Sequence, residues 1–461
     1  MQRNFSPWIQ ELDRRRIAAI LQQHMEGEVA VIGGGIAGMT SAYYLLRETK
    51  EHVTLIEADR IAHGATGHNG GQAVDYFERP FSDIVREFGL KQAAAGQNAV
   101  STSWQLLASI LRTTKIPVPF SSFIGYAGCT NLAQLEQHFI NKKLKLKGKV
   151  KVFPAYIADT VAIPAGFYKK YHDLFTIVPA RKVQRLLETD NPEYIAALSS
   201  RKGCLNSALF VEQLALYLQQ TYPNRFRLLE HTPITQVHLT RTAVQLKTAK
   251  YQFTCDRVVL CTNGFEHFAI TSDSIPGLNK RFHHMITGLV GYMTAYIEPQ
   301  TKAPTAISYF PKSSLAQADD PYIYLTRRSI GTDRSLICIG GPQRVYEHET
   351  RYSRHRAFSQ KAAKEIKHFL DKTLPQGKVA PKSFLYHWHG IMGYTPNNIR
   401  CIGPDPSDSR LLYNLGCNGI GLLPSIYGAK KISAFVQNKK LPPSIFDPIH
   451  QVRPHYPYDY S

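Results

Sequence analysis

The sequence predicts an α/β protein with two domains whose segments alternate along the chain. Short apolar runs near residues 28–33 and 257–264 stop at glycine, as buried parallel strands do. Residues 280–390 instead alternate apolar and polar positions, which is typical of a mixed sheet. A chain of 461 residues is long enough for two or three domains. We therefore expect two domains that are interleaved rather than consecutive.

Each segment follows from its local pattern. Apolar strands with intervening helices occupy three stretches, predicted to form the first domain: residues 28–115, 200–275 and 390–440. Strand-rich segments predicted to form the second, mixed α+β domain are residues 116–199 and 276–389. The flanking segments are a polar, partly helical leader at 1–27 and a proline- and tyrosine-rich tail at 441–461, which we expect to extend over the surface.

Composition narrows the class of protein. With 43% hydrophobic and 20% charged residues, the chain is neither disordered nor collagen-like. The net charge of +20 favours acidic ligands, nucleic acid or a peripheral contact with anionic membrane, without choosing among them. Seven cysteines without a Cys-x-x-Cys motif favour a reducing compartment, so we expect a cytoplasmic protein. No apolar stretch approaches the ~20 residues of a membrane span.

The first chemical motif is a glycine turn between a strand and a helix. Gly33, Gly35 and Gly38 match G-x-G-x-x-G, in which the glycines permit a tight turn, close approach of a pyrophosphate, and helix–strand packing. Glu57 ends the next strand, where a carboxylate accepts hydrogen bonds from ribose hydroxyls. The pattern predicts dinucleotide binding and leaves FAD and NAD both open.

A second loop of small residues follows the ribose carboxylate. Residues 64–72 read Gly-Ala-Thr-Gly-His-Asn-Gly-Gly-Gln. Such a loop lets the backbone lie close to a flat, extended ligand.

Together with Val258–Gly264, Trp388–Thr395, Ile402-Gly403 and Asn414–Ser425, these motifs resemble the FAD-dependent D-amino-acid oxidase (DAO) superfamily. That group includes glycine and sarcosine oxidases and, most similar in the 64–72 loop, γ-glutamylputrescine oxidase-like proteins. The resemblance implies a Rossmann-like FAD-binding domain of the glutathione-reductase type, interleaved with a mixed α+β substrate domain. It further implies an FAD-dependent oxidase or dehydrogenase that oxidises the C–N bond of an amino acid or amine. The hydride would pass to flavin N5, and O2 or an electron carrier would reoxidise the flavin.

The same resemblance implies which residues hold FAD. They are Gly33, Gly35, Ile36, Ala37, Gly38, Glu57, Ala58, Ala65, Thr66, His68, Asn69, Gly70, Gly71, Gln72, Val237, Thr262, Gly390, Gly416, Asn418, Gly419, Ile420 and Gly421. The last five belong to a loop that leads into a helix near Ser425, whose N-terminus favours the negative charge of a reduced flavin. Leu423 and Pro396-Asn397-Asn398 depart from relatives that carry a lysine and an aspartate-containing turn there.

Two side chains raise the question of a covalent flavin. A histidine near the position of His68 is the attachment point in some relatives, whereas the alternative is a hydrogen bond to phosphate or packing under the ring. For Cys417 we favour a buried structural thiol over a thioether link.

For the substrate end, no catalytic residue can be assigned from sequence. The candidates are polar and aromatic residues of the second domain: Tyr324, Arg344, His389 and Tyr394, with Tyr322, Arg327 and His387 beside them. An arginine would pair with the carboxylate of an amino-acid substrate. His387 and His389 alternate along one strand, for which a packed polar strand is favoured over a metal pair, so no metal is predicted.

Residues 142–151 contain six lysines around a glycine. Their alternation with Leu and Val predicts a hairpin with one wet face, and capture of RNA or an acidic membrane is the alternative. The net charge of +20 leaves open the alternative that the protein is a tRNA-modifying flavin oxidoreductase acting on an amine-bearing base. The departures at Leu423 and Asn397 keep open an FAD-containing protein without catalysis.

Overall fold

The computed structural model describes residues 4–13, 16–265, 268–280, 286–299, 302–313, 322–346, 352–374 and 384–451. Its helices are α1 (Pro7–Gln10), α2 (Ile36–Glu48), α3 (Phe81–Ser101), α4 (Ser103–Thr114), α5 (Leu132–Lys147), α6 (Ala165–Tyr171), α7 (Ala180–Leu186), α8 (Ser207–Thr221), α9 (Gln360–Thr373) and α10 (Leu422–Val436).

The first sheet has nine strands: β1 (Met25–Ile32), β2 (Val53–Ile56), β8 (Phe226–Leu229), β9 (Gln236–Leu239), β10 (Val244–Lys247), β11 (Gln252–Leu260), β12 (Ala269–Ser272), β18 (Cys401–Pro404) and β19 (Leu411–Leu415). Strands β19, β11, β1, β2 and β8 run parallel, with β8 at the edge of the sheet, and β19 and β1 flank the second half of β11. Strands β10 and β11 pair antiparallel as a hairpin.

The second sheet has ten strands: β3 (Gln72–Ala73), β4 (Phe120–Cys129), β5 (Ala155–Ala158), β6 (Thr176–Val178), β7 (Ala196–Leu205), β13 (Thr287–Glu298), β14 (Thr305–Tyr309), β15 (Ile323–Ile330), β16 (Arg334–Tyr346) and β17 (Tyr386–Tyr394). Its order is β17-β13-β16-β15-β14-β4-β7-β5-β6, with β3 beside β7. Parallel and antiparallel pairs both occur, so the sheet is mixed as predicted.

Sheet membership follows the predicted alternation of segments. Every strand of the nine-stranded sheet lies in or at the edge of residues 28–115, 200–275 or 390–440. Strands β7 and β17 cross the predicted boundaries at 200 and 390, and β3 joins the second sheet from within the first segment. The interleaved α/β fold is therefore confirmed, whereas the domain boundaries themselves stay predictions.

The βαβ unit predicted at the start of the fold forms as β1, α2 and β2. The middle of α2 is buried on all sides because it packs between the sheet and two other helices, α8 and α10. Burial of such helices supplies about 25 cal/mol per Å² of apolar surface and is the main source of their stability. This packing brings the N-termini of α2 and α10 to the same region of the molecule.

The lysine-rich run is not a hairpin, and that prediction is wrong. Residues 142–147 complete α5, which ends at Gly148. Leu135, Phe139 and Lys142 are buried on one face at helical spacing, and this longer period overrides the short alternation of Leu and Lys.

Both chain ends pack more closely than expected. In the leader, the Trp8 ring is fully buried, and its Nε1 donates to the Asn69 carbonyl at 2.6 Å. In the tail, Ile445 and Phe446 are fully buried, and Lys431 pairs with Asp447 at 2.6 Å. The prediction of an extended surface tail is therefore wrong for residues 445–451, and residues 452–461 lie outside the described part of the chain.

Two further findings concern the whole molecule. Within the described ranges, no helix is both long and apolar enough to cross a membrane. All seven cysteines lie in those ranges, and each is a free thiol.

Candidate functional site

A cavity of about 510 Å³ is lined by residues of both sheets. One end is formed by the glycine turn after β1 and by Glu57 at the end of β2. The loop of Gly419 and Gly421, which opens α10, lines another part of the same wall. The two glycine bends, almost 400 residues apart in sequence, therefore converge on one cavity.

Most of the predicted FAD-binding residues line this cavity. They are Gly33, Gly35, Ile36, Ala37, Glu57, Ala58, Ala65, Thr66, His68, Asn69, Gly70, Gln72, Thr262, Gly390, Gly419, Ile420 and Gly421. The N-cap residues of α2 and α10, Gly35 and Gly421, have no side chain to cap their helices, although Thr66 Oγ1 accepts from the Ile36 N–H at 2.9 Å. The other N–H groups of the two first turns face no N-cap side chain and suit the phosphates and the polar edge of a cofactor.

Gly33 and Gly38 act on the shape of the turn. The backbone of Gly33 has φ +109°, a conformation that favours glycine, and lies against the Cys261 carbonyl. A Cβ on Gly38 would stand 1.9 Å from the Gly33 oxygen. Gly38 itself does not line the cavity, so its place is in the packing of α2 on the turn.

Four other predicted cofactor residues also lie off the cavity wall. Gly71 packs against the Trp8 ring, and Val237 is fully buried in the core of the nine-stranded sheet. Gly416 and Asn418 pack against Thr395, whose N–H donates to Asn418 Oδ1 at 2.8 Å.

The segment that lines the cavity near Val237 is instead residues 232–234, just before β9. This Thr-Pro-Ile sequence follows the strand β8 and precedes the strand that the sequence pattern emphasised. The resemblance implied a contact at Val237, whereas the residues that line the cavity come just before the strand of Val237.

Glu57 lies at the end of the cavity where the ribose is expected. Its Oε2 accepts a hydrogen bond from the Gly34 N–H at 2.6 Å, and its Oε1 accepts one from Asp59 N at 3.0 Å. Burial raises the pKa of the carboxyl to about 7, although the Gly34 N–H acts in the opposite direction. A ligand that donates hydrogen bonds here would favour the ionised form.

His68 lies on the wall with its ring Nδ1 3.0 Å from the Gly64 carbonyl. Because a carbonyl only accepts, Nδ1 carries the proton and Nε2 keeps the lone pair. Burial lowers the pKa of His68 to about 4, which keeps the imidazole neutral. Burial raises the pKa of the Cys417 thiol, and this side chain, predicted as a structural thiol, also lines the cavity.

Asn263 gives an independent sign that the cavity is built for a polar ligand. Its Oδ1 accepts from Cys417 N at 2.9 Å, but its buried Nδ2 has no hydrogen-bond partner in the structure. A buried donor left unsatisfied costs about 1–3 kcal/mol. A flavin, which carries acceptor nitrogens and oxygens along one edge, fits this wall better than an apolar ligand.

The side of the cavity formed by the second sheet contains a carboxyl group among tyrosines. Glu78 Oε2 accepts from the Tyr394 hydroxyl at 2.8 Å, and Oε1 lies 3.4 Å from the Tyr322 hydroxyl. The carboxyl group rests on the backbone of Gly419. Burial raises the pKa of both phenols well above the usual value, so they remain protonated donors. Tyr324 lines the same wall, with its ring 5.9 Å from that of Tyr322.

The arginines proposed for a substrate carboxylate do not line this cavity. Arg344 is exposed and donates to Ser359 at 3.3 Å. Arg327 is buried in a two-pronged ion pair with Glu188, at 2.6 and 2.7 Å. These two candidates are therefore corrected to a surface and a structural role, respectively.

Arg400 is the one arginine or lysine among the described residues that line the cavity. Its guanidinium donates to Asn414 Oδ1 at 2.7 Å, to the Asn414 carbonyl at 2.9 Å and to the Gly416 carbonyl at 3.4 Å. Arg400 thus braces the loop that precedes α10.

His387 and His389 also lie outside the cavity. His387 packs between the rings of Phe358 and Phe384, and His389 Nδ1 lies 2.8 Å from the Tyr352 hydroxyl. His389 is therefore corrected from a catalytic candidate to a packed polar residue. No group of three or more His, Cys, Asp or Glu suited to a metal occurs in the described ranges.

Several residues that line the cavity were not predicted from the sequence. They include Glu78, Tyr76, Asn263, Met293, Met392 and residues 232–234. Asn263 stood inside a quoted motif and could have been selected for its place at the end of a buried strand. Glu78 precedes a helix in a polar stretch, and its sequence neighbours carry no signal that it faces a ligand.

The match to known proteins covers most of the chain. Residues 28–434 match the family model described as DAO, FAD dependent oxidoreductase. The chain therefore belongs to the DAO family of FAD dependent oxidoreductases, which confirms the resemblance drawn from the motifs, and FAD is its cofactor.

Individual relatives agree with this family over shorter or more distant matches. The chain is 38% identical over 73 residues to gamma-glutamylputrescine oxidoreductase of Escherichia coli (strain K12), which is 16% of this chain and 17% of that protein. It thus matches about one sixth of the length of its curated relatives. Among solved structures, L-proline dehydrogenase from P. horikoshii has a TM-score of 0.67 at 17% identity, covering 93% of this chain and 100% of that one. Glycine oxidase from Geobacillus kaustophilus has a TM-score of 0.66 at 14% identity, covering 94% and 100%. At these identities the two structures support the fold.

Proposed function

We propose that this protein binds an amine as its ammonium ion and oxidises the C–N bond once the Glu78 carboxylate has accepted the ammonium proton, with O2 or an electron carrier as the final acceptor. The observation that carries the proposal is the position of Glu78. Its carboxyl group lies between the loop of Gly419 and Gly421, called the cofactor loop below, and the tyrosines of the second sheet. FAD, when bound, supplies the hydride acceptor. The protein contributes binding, orientation and a closed environment.

The FAD site is proposed to consist of the predicted residues on the cavity wall, extended by Asn263 and residues 232–234. Glu57 would accept hydrogen bonds from the ribose, and the N-terminus of α2 would face the pyrophosphate. Asn263 Nδ2 would donate to the flavin, and the N-terminus of α10 would favour negative charge on it.

An amine is supported over an α-amino acid by the charges around the second sheet. An α-carboxylate is best bound by a guanidinium in a two-pronged contact, and Arg400 is already engaged by three oxygens. Glu78 offers the opposite charge and would pair with an ammonium group. The faces of Tyr322, Tyr324 and Tyr394 add the favourable contact that aromatic rings make with cations.

The test is an anaerobic titration of the yellow holoenzyme, with absorbance at the flavin band as the readout. Simple alkylamines and diamines are expected to bleach the flavin at lower concentration than glycine, sarcosine or proline. Bleaching by α-amino acids alone would contradict the assignment of Glu78.

The same titration separates the other functions that the sequence left open. A tRNA-modifying oxidoreductase would be reduced only in the presence of tRNA, with strong dependence on salt. A protein that keeps FAD without catalysis would resist every amine. The free thiols support a cytoplasmic location for the protein.

His68 keeps two proposed roles, covalent attachment through the lone pair of Nε2 or packing against a non-covalent flavin. Acid denaturation distinguishes them, because a covalent flavin precipitates with the polypeptide. His68→Ala should abolish any such retention.

A further inference from the structure

A second cavity of about 400 Å³ adjoins the first. Tyr76, Glu78 and Tyr322 line both cavities, which therefore meet at these residues. Unlike the first, the second cavity has a strongly basic lining: Arg79, Lys142, Lys145, Lys151, Arg201 and Lys202, against the acidic Asp75 and Glu78. The family match and the predicted FAD residues do not account for this cavity.

Lys202 is the most deeply buried of these cations. Its side chain is 1% exposed, and its Nζ contacts only neutral acceptors, Ser308 Oγ at 3.1 Å and the Tyr126 carbonyl at 3.4 Å. No carboxylate in the described ranges forms an ion pair with it. Burial lowers the pKa of Lys202 to about 7, since an ammonium without an opposite charge is costly in such a place. A bound anion would compensate this cost.

Two lysines of α5 approach the same cavity from the opposite side. Lys142 donates to the Leu174 carbonyl at 2.7 Å, and the Lys145 ammonium lies 5.6 Å from the Phe81 ring. Burial also lowers the pKa of Lys145, although Asp75 attracts its charge. Arg79 is occupied by an ion pair with Glu87 at 2.7 Å.

We propose that the second cavity binds the acidic far end of an elongated amine substrate, with Lys145 and Lys202 as the anion partners. The inference rests on the proposed function, in which the reacting ammonium end lies beside Glu78. The ligand class is an amine whose other end carries a carboxylate. The negative charge of Glu78, where the two cavities meet, and the positive charges of the second cavity would then set both the orientation and the length of the substrate.

The first experiment compares two probes of equal length, hexylamine and 6-aminohexanoate, in anaerobic reduction of the holoenzyme. The acidic probe is expected to half-saturate the reduction at a concentration about tenfold lower. Lys202→Met and Lys145→Gln should each remove that preference, so that the two probes half-saturate the reduction at similar concentrations. Lys147→Gln, on the same helix but exposed, removes the same charge and should keep the preference.

A binding measurement keeps the inference testable apart from catalysis. Calorimetry of the holoenzyme with hexanoate, which lacks the amine, should show binding that is lost in Lys202→Met and retained in Lys147→Gln. If no amine reduces the flavin but hexanoate binds in this manner, the proposed function fails and the anion site stands. If amines reduce the flavin while both probes act equally and hexanoate does not bind, the anion site is overturned. Methionine matches the buried stem of Lys202, and Lys145→Gln gives a second variant should Lys202→Met not fold.

Discussion

The two regions of the cavity differ in how the chain builds them. The end of the cavity that is proposed to hold the nucleotide part of FAD, the nucleotide end, is formed by the turn at Gly33–Gly38 and by the carboxylate of Glu57. Their spacing along one βαβ unit places them together. The opposite end brings Glu78 against Tyr322, Tyr394 and the backbone of Gly419, four positions that are far apart in sequence. The first region depends on local backbone geometry, whereas the second depends on the docking of two sheets. Substitutions in the two regions should therefore separate FAD retention from amine oxidation.

The largest effect is expected from Gly38→Ala. The added Cβ would stand 1.9 Å from the Gly33 carbonyl, so the turn must open. We expect the purified protein to lose most of its FAD, measured as the ratio of flavin to protein absorbance. Gly166→Ala serves as the control, because a Cβ there meets nothing within 4 Å. Full FAD content in Gly38→Ala would break the distinction between the two regions.

Glu78→Gln should have the next largest effect and the opposite pattern. The amide keeps an oxygen for the Tyr394 hydroxyl but loses the charge that would pair with an ammonium. Loss of this charge partner costs about 2–3 kcal/mol, so amine-dependent flavin reduction should fall roughly 30- to 150-fold. FAD content should not change. Glu365→Gln, an exposed change on α9, should affect neither quantity.

Glu57→Gln tests the nucleotide end through pH. Burial raises the pKa of Glu57 to about 7, so the buried acid is stable in the neutral form. The preference of the folded, FAD-free protein for the protonated carboxyl stabilises it fully below the unfolded pKa of about 4.5. This stabilisation is lost as the pH rises through 7, where Glu57 ionises in the folded state.

The FAD-free variant should accordingly melt at a higher temperature than the parent at pH 8.5 and at nearly the same temperature at pH 5. Its dissociation constant for FAD should rise about tenfold at pH 8, because a carboxylate is the stronger acceptor for ribose hydroxyls. An equal melting temperature at both pH values would show that Glu57 is not a buried acid.

The smallest effect compares two tyrosines on one carboxyl group. The Tyr394 hydroxyl lies 2.8 Å from Glu78 and the Tyr322 hydroxyl 3.4 Å, so the first makes the stronger hydrogen bond. Tyr394→Phe should raise the half-saturating amine concentration about three- to tenfold, and Tyr322→Phe less. A larger effect of Tyr322→Phe than of Tyr394→Phe would mean that Tyr322, and not Tyr394, orients the Glu78 carboxyl group.

The sequence by itself determined the fold class and the βαβ unit, and its resemblance to the DAO superfamily implied FAD and most of the residues that line the first cavity. These features depend on short-range patterns: a strand that ends in glycine, a helix that begins two residues later, and a carboxylate at the end of the next strand. Short-range patterns fail where a strand-like period of two and a helical period of about 3.6 overlap. In the lysine-rich run that ends α5, the alternation of Leu and Lys suggests a strand, but buried Leu135, Phe139 and Lys142 follow the helical period.

Only the tertiary structure decided the identity of the side chains opposite the nucleotide end. In the tertiary structure, Arg344 and His389 lie outside the cavity, and residues 232–234 rather than Val237 line it. The Glu78 carboxyl group contacts the backbone of Gly419. The physical reason is that residue type and spacing define an element and its buried face. The meeting of side chains from two sheets depends instead on how those sheets dock, and that arrangement is set by the packing of the whole core.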